Sequence, residues 1–119
     1  MLIWTPLIDS TQLDEIHQKS MICPVLIFKH STRCSISHTA LDRFERNWQS
    51  DLSPSVQTFL LDLISYREIS NQITDTYSVY HESPQVLLIH EGQVIYHESH
   101  FGIRFEAFRK EIEKLTIKS

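Results

Sequence analysis

The chain has 119 residues, 41% hydrophobic and 22% charged, which suits one domain with one ordinary core and excludes a disordered chain. Its formal net charge is -4 at pH 7, with Lys and Arg spread along the chain, a balance that disfavours nucleic acid or an anionic membrane as partner. No apolar run approaches the ~20 residues of a membrane helix, and Met1 to Thr11 lacks the basic start and apolar stretch of an export signal, so a single cytoplasmic domain over residues 1–119 is expected.

The first helix signal follows Asp9-Ser10, with Gln12 placed as in a capping box and Leu13, Ile16 and Met21 as its apolar side. Pro24 closes that segment and opens Val25-Leu26-Ile27-Phe28, a continuous apolar run that predicts a strand buried on both faces. His30-Ser31-Thr32-Arg33 reads as a polar loop. Beyond it Ile36, Ala40, Phe44 and Trp48 recur every four residues, beside Leu41, and predict an amphipathic helix that begins at or near Cys34.

Ser53-Pro54 breaks this pattern before a second strand run, Phe59 to Ile64, and Tyr66, Ile69 and Ile73 predict a shorter helix. After Ser83-Pro84, the run Val86 to Ile89 and the segment Gln93 to Glu98 flank Glu91-Gly92, a hairpin signal because Gly accepts positive φ. Ile103, Phe108, Ile112 and Leu115 give the face of a terminal helix. The order is helix, strand, helix, strand, helix, hairpin, helix, with a short extended segment around Ile3-Trp4. Strands joined through helices run parallel and the hairpin antiparallel. The expected fold is therefore α/β and thioredoxin-like, a mixed central sheet of about four strands with helices on both faces.

Chemistry centres on the cysteines. Cys23 and Cys34 match neither a zinc spacing nor a C-x-x-C pair. Cys34 falls in the turn from a buried strand into the strongest helix, where unpaired N–H groups, the helix dipole and the neighbouring Arg33 all favour a thiolate. Position alone leaves open a merely small capping residue. Ser37 stands where a dithiol oxidoreductase carries its resolving cysteine; it can donate a hydrogen bond to sulfur but cannot close a disulfide, which implies a monothiol cycle. It is equally compatible with an ordinary polar residue of a first turn. Ser83-Pro84, placed before the third apolar run, is expected to be cis and to turn the Ser83 backbone toward the thiol for pairing with a substrate.

The block Phe28 to Cys34, followed by Ser35-Ile36-Ser37 and Ala40 to Phe44, resembles the active-site block of the monothiol bacilliredoxins, thioredoxin-fold proteins often labelled bacillithiol system redox-active or general stress proteins. His81-Glu82-Ser83-Pro84-Gln85 resembles the same family's cis-proline block. The resemblance implies removal of bacillithiol from protein mixed disulfides, with Cys34 attacking and Pro84 shaping its site. Thr32, Arg33, Ser37 and Ser83 are then the supporting or thiol-binding residues. The implied partners are bacillithiol-capped client proteins and a low-molecular-weight thiol, with bacillithiol as cosubstrate and no bound cofactor or metal; a monomer is expected, with a weak dimer as the alternative. Arg33, with Lys29 or His30, is placed to receive the carboxylates of the bacillithiol malate. The sequence departs from the family at Ser35, where proline is common, and it carries Phe28 where thioredoxin-type proteins keep a buried acid.

Cys23, at the far end of the strand from Cys34, is expected to be a buried structural thiol about 20 Å away. The seven histidines lack a four-ligand spacing and read as scattered surface residues, with His38 near enough to influence Cys34. Asp62 reads as an outward-facing strand residue or a strand-edge cap rather than a buried acid. Two other functions fit the same fold: a non-catalytic adaptor that holds a peptide on the Ser83-Pro84 edge, and a glutaredoxin-like iron-sulfur carrier, which Ser35 does not suit.

Overall fold

The computed structural model describes residues 2–52 and 55–118, so the expected break at Ser53-Pro54 lies outside the described residues. The elements run β1 (Thr5–Pro6), α1 (Thr11–Ser20), β2 (Val25–His30), α2 (Ser35–Asn47), a 3-10 turn at Ser50–Leu52, β3 (Gln57–Asp62), α3 (Arg67–Tyr77), β4 (Gln85–His90), β5 (Gln93–Ser99), a second 3-10 turn at His100–Gly102, and α4 (Phe105–Lys118). The sheet order is β1-β3-β2-β4-β5. β1 and β2 are both parallel to β3, whereas β4 is antiparallel to β2 and β5. Among the described residues the sheet has five strands rather than about four. The extra one is a two-residue edge, Thr5 and Pro6 opposite Phe59 and Leu60, too short to show an alternation in sequence.

Local chemistry explains the boundaries. Asp9 Oδ1 accepts from the Thr11 N–H (2.9 Å), while Gln12 Oε1 accepts from the Asp9 N–H (2.9 Å) and the Ile8 N–H (2.8 Å). This reciprocal arrangement is a capping box at the start of α1. The β4–β5 turn puts Glu91 at φ 52° and Gly92 at φ 77°, the signs a tight antiparallel hairpin demands. A Cβ on Gly92 would also stand 2.8 Å from the His17 ring.

β2 is the centre of the molecule. It pairs on both edges and is covered on both faces, so all six of its residues are buried. Leu26 and Phe28 face one core with Phe44, Trp48, Phe105 and Phe108, while Val25 and Ile27 face the other with Ile16, Ile69 and Ile73. Phe44 is the hub of the first core, its ring centroid 5.6–6.4 Å from those of Trp4, Phe28, Trp48, Phe105 and Phe108. Truncating such a side chain to alanine costs about 3–5 kcal/mol. That packing fixes α2 against β2 and so fixes where α2 begins. Ile36, on the same four-residue spacing, is 41% exposed, whereas Ala40, Phe44 and Trp48 are buried.

Candidate functional site

Cys34 caps α2 in extended conformation, φ -112° and ψ 120°. Its N–H donates to the Ser31 carbonyl at 3.2 Å and its carbonyl accepts from the His38 N–H at 3.1 Å. The side chain is a free, partly exposed thiol at the end of a helix where first-turn N–H groups carry partial positive charge. Thr32 and Arg33, just before it, are exposed.

The loop that delivers Cys34 is clamped from α2. Ser37 is fully buried; its hydroxyl oxygen accepts from the Ser31 N–H at 3.0 Å and lies 2.6 Å from Nδ1 of His30. Burial, and next the His38 charge, hold the His30 imidazole below its ordinary pKa, with Asp62 and Glu45 opposing. A neutral His30 lets the bonds run in one direction, from the Ser31 N–H to Ser37 and from the Ser37 O–H to Nδ1. One turn on, His38 Nε2 lies 2.9 Å from the Thr32 carbonyl, which can only accept, so that nitrogen carries the proton. The His30 and His38 rings meet edge to face at 4.7 Å. Neither clamp was legible in the sequence beyond the presence of polar residues on both sides of the turn.

The second half of the site comes from β4. Lys29 stands opposite Gln85 in the antiparallel pair, which places the start of β4 beside the end of β2, where the chain turns toward Cys34. The Ser83-Pro84 bond is cis. The Pro84 carbonyl accepts from the His100 N–H at 3.0 Å, and the Ser99 hydroxyl donates to Glu82. The Ser83 backbone N–H and C=O make no hydrogen bond among the described residues. They form a free edge at the same end of the sheet as the thiol.

Other expected residues fall elsewhere. Lys29 is 0% exposed and His30 5%, so neither can meet a carboxylate in solvent; Arg33 alone of the three is exposed. Lys29 is enclosed because β2 has no solvent face. Cys23 is partly exposed rather than buried, since it precedes β2 at the uncovered lower end of the sheet. Asp62 ends β3 and caps the next turn, accepting from the Ile64 N–H at 3.2 Å and the Ser65 hydroxyl at 2.9 Å. Among the described residues no three His, Cys, Asp or Glu side chains gather as a metal-ligating group, and no helix is long and apolar enough to cross a membrane. An apolar hollow of about 270 Å³ adjoins the loop at Thr32, between Trp4, Ile8, Leu60 and Tyr66. A larger one, about 750 Å³, lies at the opposite end of the sheet around Ile22, Pro24 and His90, away from the thiol.

Solved structures share this architecture. A candidate oxidoreductase with a thioredoxin fold matches at TM-score 0.77 and 24% identity, covering 91% of this chain and 92% of that one. Thioredoxin from Trypanosoma brucei brucei matches at 0.74 and 15%, covering 98% and 93%, and Fasciola hepatica thioredoxin at 0.68 and 15%, covering 92% and 96%. The molecule is thus a thioredoxin-fold protein with a single thiol at the start of its second helix. Residues 5–108 match the sequence model described as "Monothiol bacilliredoxin BrxC", and the chain belongs to that family of thiol-redox proteins.

Proposed function

We propose that this protein removes bacillithiol, or a comparable small thiol, from protein mixed disulfides through Cys34. The observation that carries the reading is the isolation of the thiol. Cys34 is the one cysteine at the α2 terminus, the third residue beyond it is a buried serine bonded to the loop, and Cys23 stands before the opposite end of β2. A disulfide within the site cannot form, so the cycle must pass through a mixed disulfide with an external thiol.

In the first step the Cys34 thiolate attacks the bacillithiol sulfur of the capped client. A Cys34–bacillithiol disulfide forms, the client–bacillithiol bond breaks, and the client sulfur leaves as a thiolate. In the second, the thiolate of another small thiol attacks the bacillithiol sulfur on Cys34, releasing a small-molecule disulfide and restoring Cys34. The free N–H and C=O of Ser83 would pair with the client backbone, and exposed Arg33 would meet a malate carboxylate with its planar fork.

The test is release of bacillithiol from a capped client by wild type, Cys34→Ala and Cys23→Ala. Loss of turnover in the first variant and retention in the second are expected. Unchanged turnover without Cys34 would overturn the proposal.

A further inference from the structure

Three buried side-chain atoms, Lys29 Nζ, Ser83 Oγ and Gln85 Oε1, have no hydrogen-bond partner among the described residues. They belong to one corner of the fold. Lys29 and Gln85 are direct partners across β2 and β4, so their side chains leave the same face of the sheet from Cβ atoms about 5 Å apart. It is the α1/α3 face, since their strand neighbours Ile27 and Leu87 pack in the core that includes Ile16, Ile69 and Ile73. Ser83 precedes Gln85 by two residues and begins the same segment.

What each atom lacks, another supplies. An ammonium has three donors and no acceptor, while an amide oxygen and a hydroxyl oxygen accept. The Gln85 amide nitrogen is already committed to the Tyr80 carbonyl at 2.9 Å, which leaves its oxygen for another donor. A buried charge without partners costs several kcal/mol, and a methionine would fill the same space. A lysine enclosed in the central strand therefore calls for a compensating interaction.

We propose that Lys29 is a positioning residue for the substrate-pairing edge, its ammonium holding Ser83 Oγ and Gln85 Oε1 through one enclosed water and so fixing the 83–85 segment against a client backbone. Three polar partners suit an internal water. The proposal rests on the reading of Ser83 as the pairing edge. The titratable neighbour is His81, whose imidazole is held below its ordinary pKa by burial, then by Lys29 and Arg67 of α3, against Glu82. Nδ1 of His81 lies 3.1 Å from the Ser70 hydroxyl of α3. On the α1 side, the Lys19 ammonium sits over the Phe59 ring, 5.5 Å from its centroid. Burial brings Lys29 itself down to about 8, which keeps the ammonium the major form at neutral pH.

Two measurements test this. In NMR titrations of the full chain, the Ser83 and Gln85 backbone amides are expected to shift with the midpoint of the Lys29 Cε resonance, and to lose that transition in Lys29→Met. With a bacillithiol-capped peptide, Lys29→Met and Gln85→Met are expected to raise KM about tenfold, with kcat and the rate of Cys34 alkylation by iodoacetamide unchanged. Amides that ignore the Lys29 titration, or a wild-type KM in both variants, would overturn the positioning role. The NMR arm requires no turnover, so failure of the bacillithiol reading and failure of the Lys29 network are separately visible.

Discussion

The Ser37 hydroxyl lies 2.6 Å from Nδ1 of His30, and the same oxygen receives the Ser31 N–H at 3.0 Å. The residue three positions after Cys34 thus ties the loop that carries Cys34 to the end of β2. Ser37→Ala leaves a buried imidazole nitrogen and a loop N–H unpaired, a loss of about 1–3 kcal/mol. Urea unfolding should show the drop. A cost near zero would mean that solvent reaches the loop and that the clamp carries no weight.

Two histidines, His30 at the end of β2 and His81 ahead of β4, should make the protein acid-sensitive. His30 and His81 both have imidazoles held below the ordinary 6.5, chiefly by burial. With the folded pKa depressed, the unfolded chain binds more protons as pH falls below 6.5, so their contribution to stability is complete above that value and is lost on acidification. Unfolding midpoints in urea should fall between pH 7 and 5. His30→Asn should flatten part of that slope, although its midpoint at pH 7 is lower. Asp9 and Asp51, held below 3.8 by the Thr11 and Arg109 hydrogen bonds, lose their contribution only at lower pH, which separates the two effects.

Much of this architecture is legible in the sequence because each signal is local. The Asp9–Gln12 box, the Glu91-Gly92 turn and the Phe44–Trp48 stripe each act within a few residues, and their order leaves few topologies for the sheet. Cys34 at the strand-to-helix turn and the cis bond at Ser83-Pro84 follow from the same order. What the sequence hides are facts of orientation and depth. In Val25 to His30 a strand buried on both faces has no alternation to show where Lys29 points, so a lysine a few residues before Cys34 reads as an exposed cation. Cys23 misleads in the opposite sense, because its exposure is set by the uncovered end of the sheet and not by its neighbours in sequence.

Lys29 also leaves a mark on stability. Its ordinary pKa of 10.5 is brought to about 8 by burial. Between those values the unfolded chain holds a proton that the folded chain has released, so stability rises with pH across that window and is lowest below it. Lys29→Met removes the penalty. Wild type should therefore gain on the variant by up to about 3 kcal/mol between pH 8 and pH 10.5, as read from urea unfolding at several pH values. A difference between the two proteins that stays constant from pH 8 to pH 10.5 would show that burial does not depress the Lys29 ammonium. Greater stability alongside a raised KM would mark a residue kept for the site at the expense of the fold.

Arg33 offers the sharpest handle on thiol preference. It is exposed beside Cys34 while Lys29 and His30 are enclosed, so a carboxylate on the small thiol has one cation of that loop to meet. An exposed charge pair contributes at most about 1 kcal/mol, which corresponds to about fivefold in binding. Arg33→Ala should therefore raise KM for a bacillithiol-capped client by about that factor and leave kcat near wild type, because the guanidinium binds the cap equally before and during sulfur transfer. A client capped with cysteamine, which has no carboxylate, supplies the control: its KM should be the same in both proteins. Equal effects on the two caps would place Arg33 in the arrangement of the loop. A fall in kcat with KM unchanged would instead assign its charge to the transition state, where negative charge is shared among three sulfurs in line.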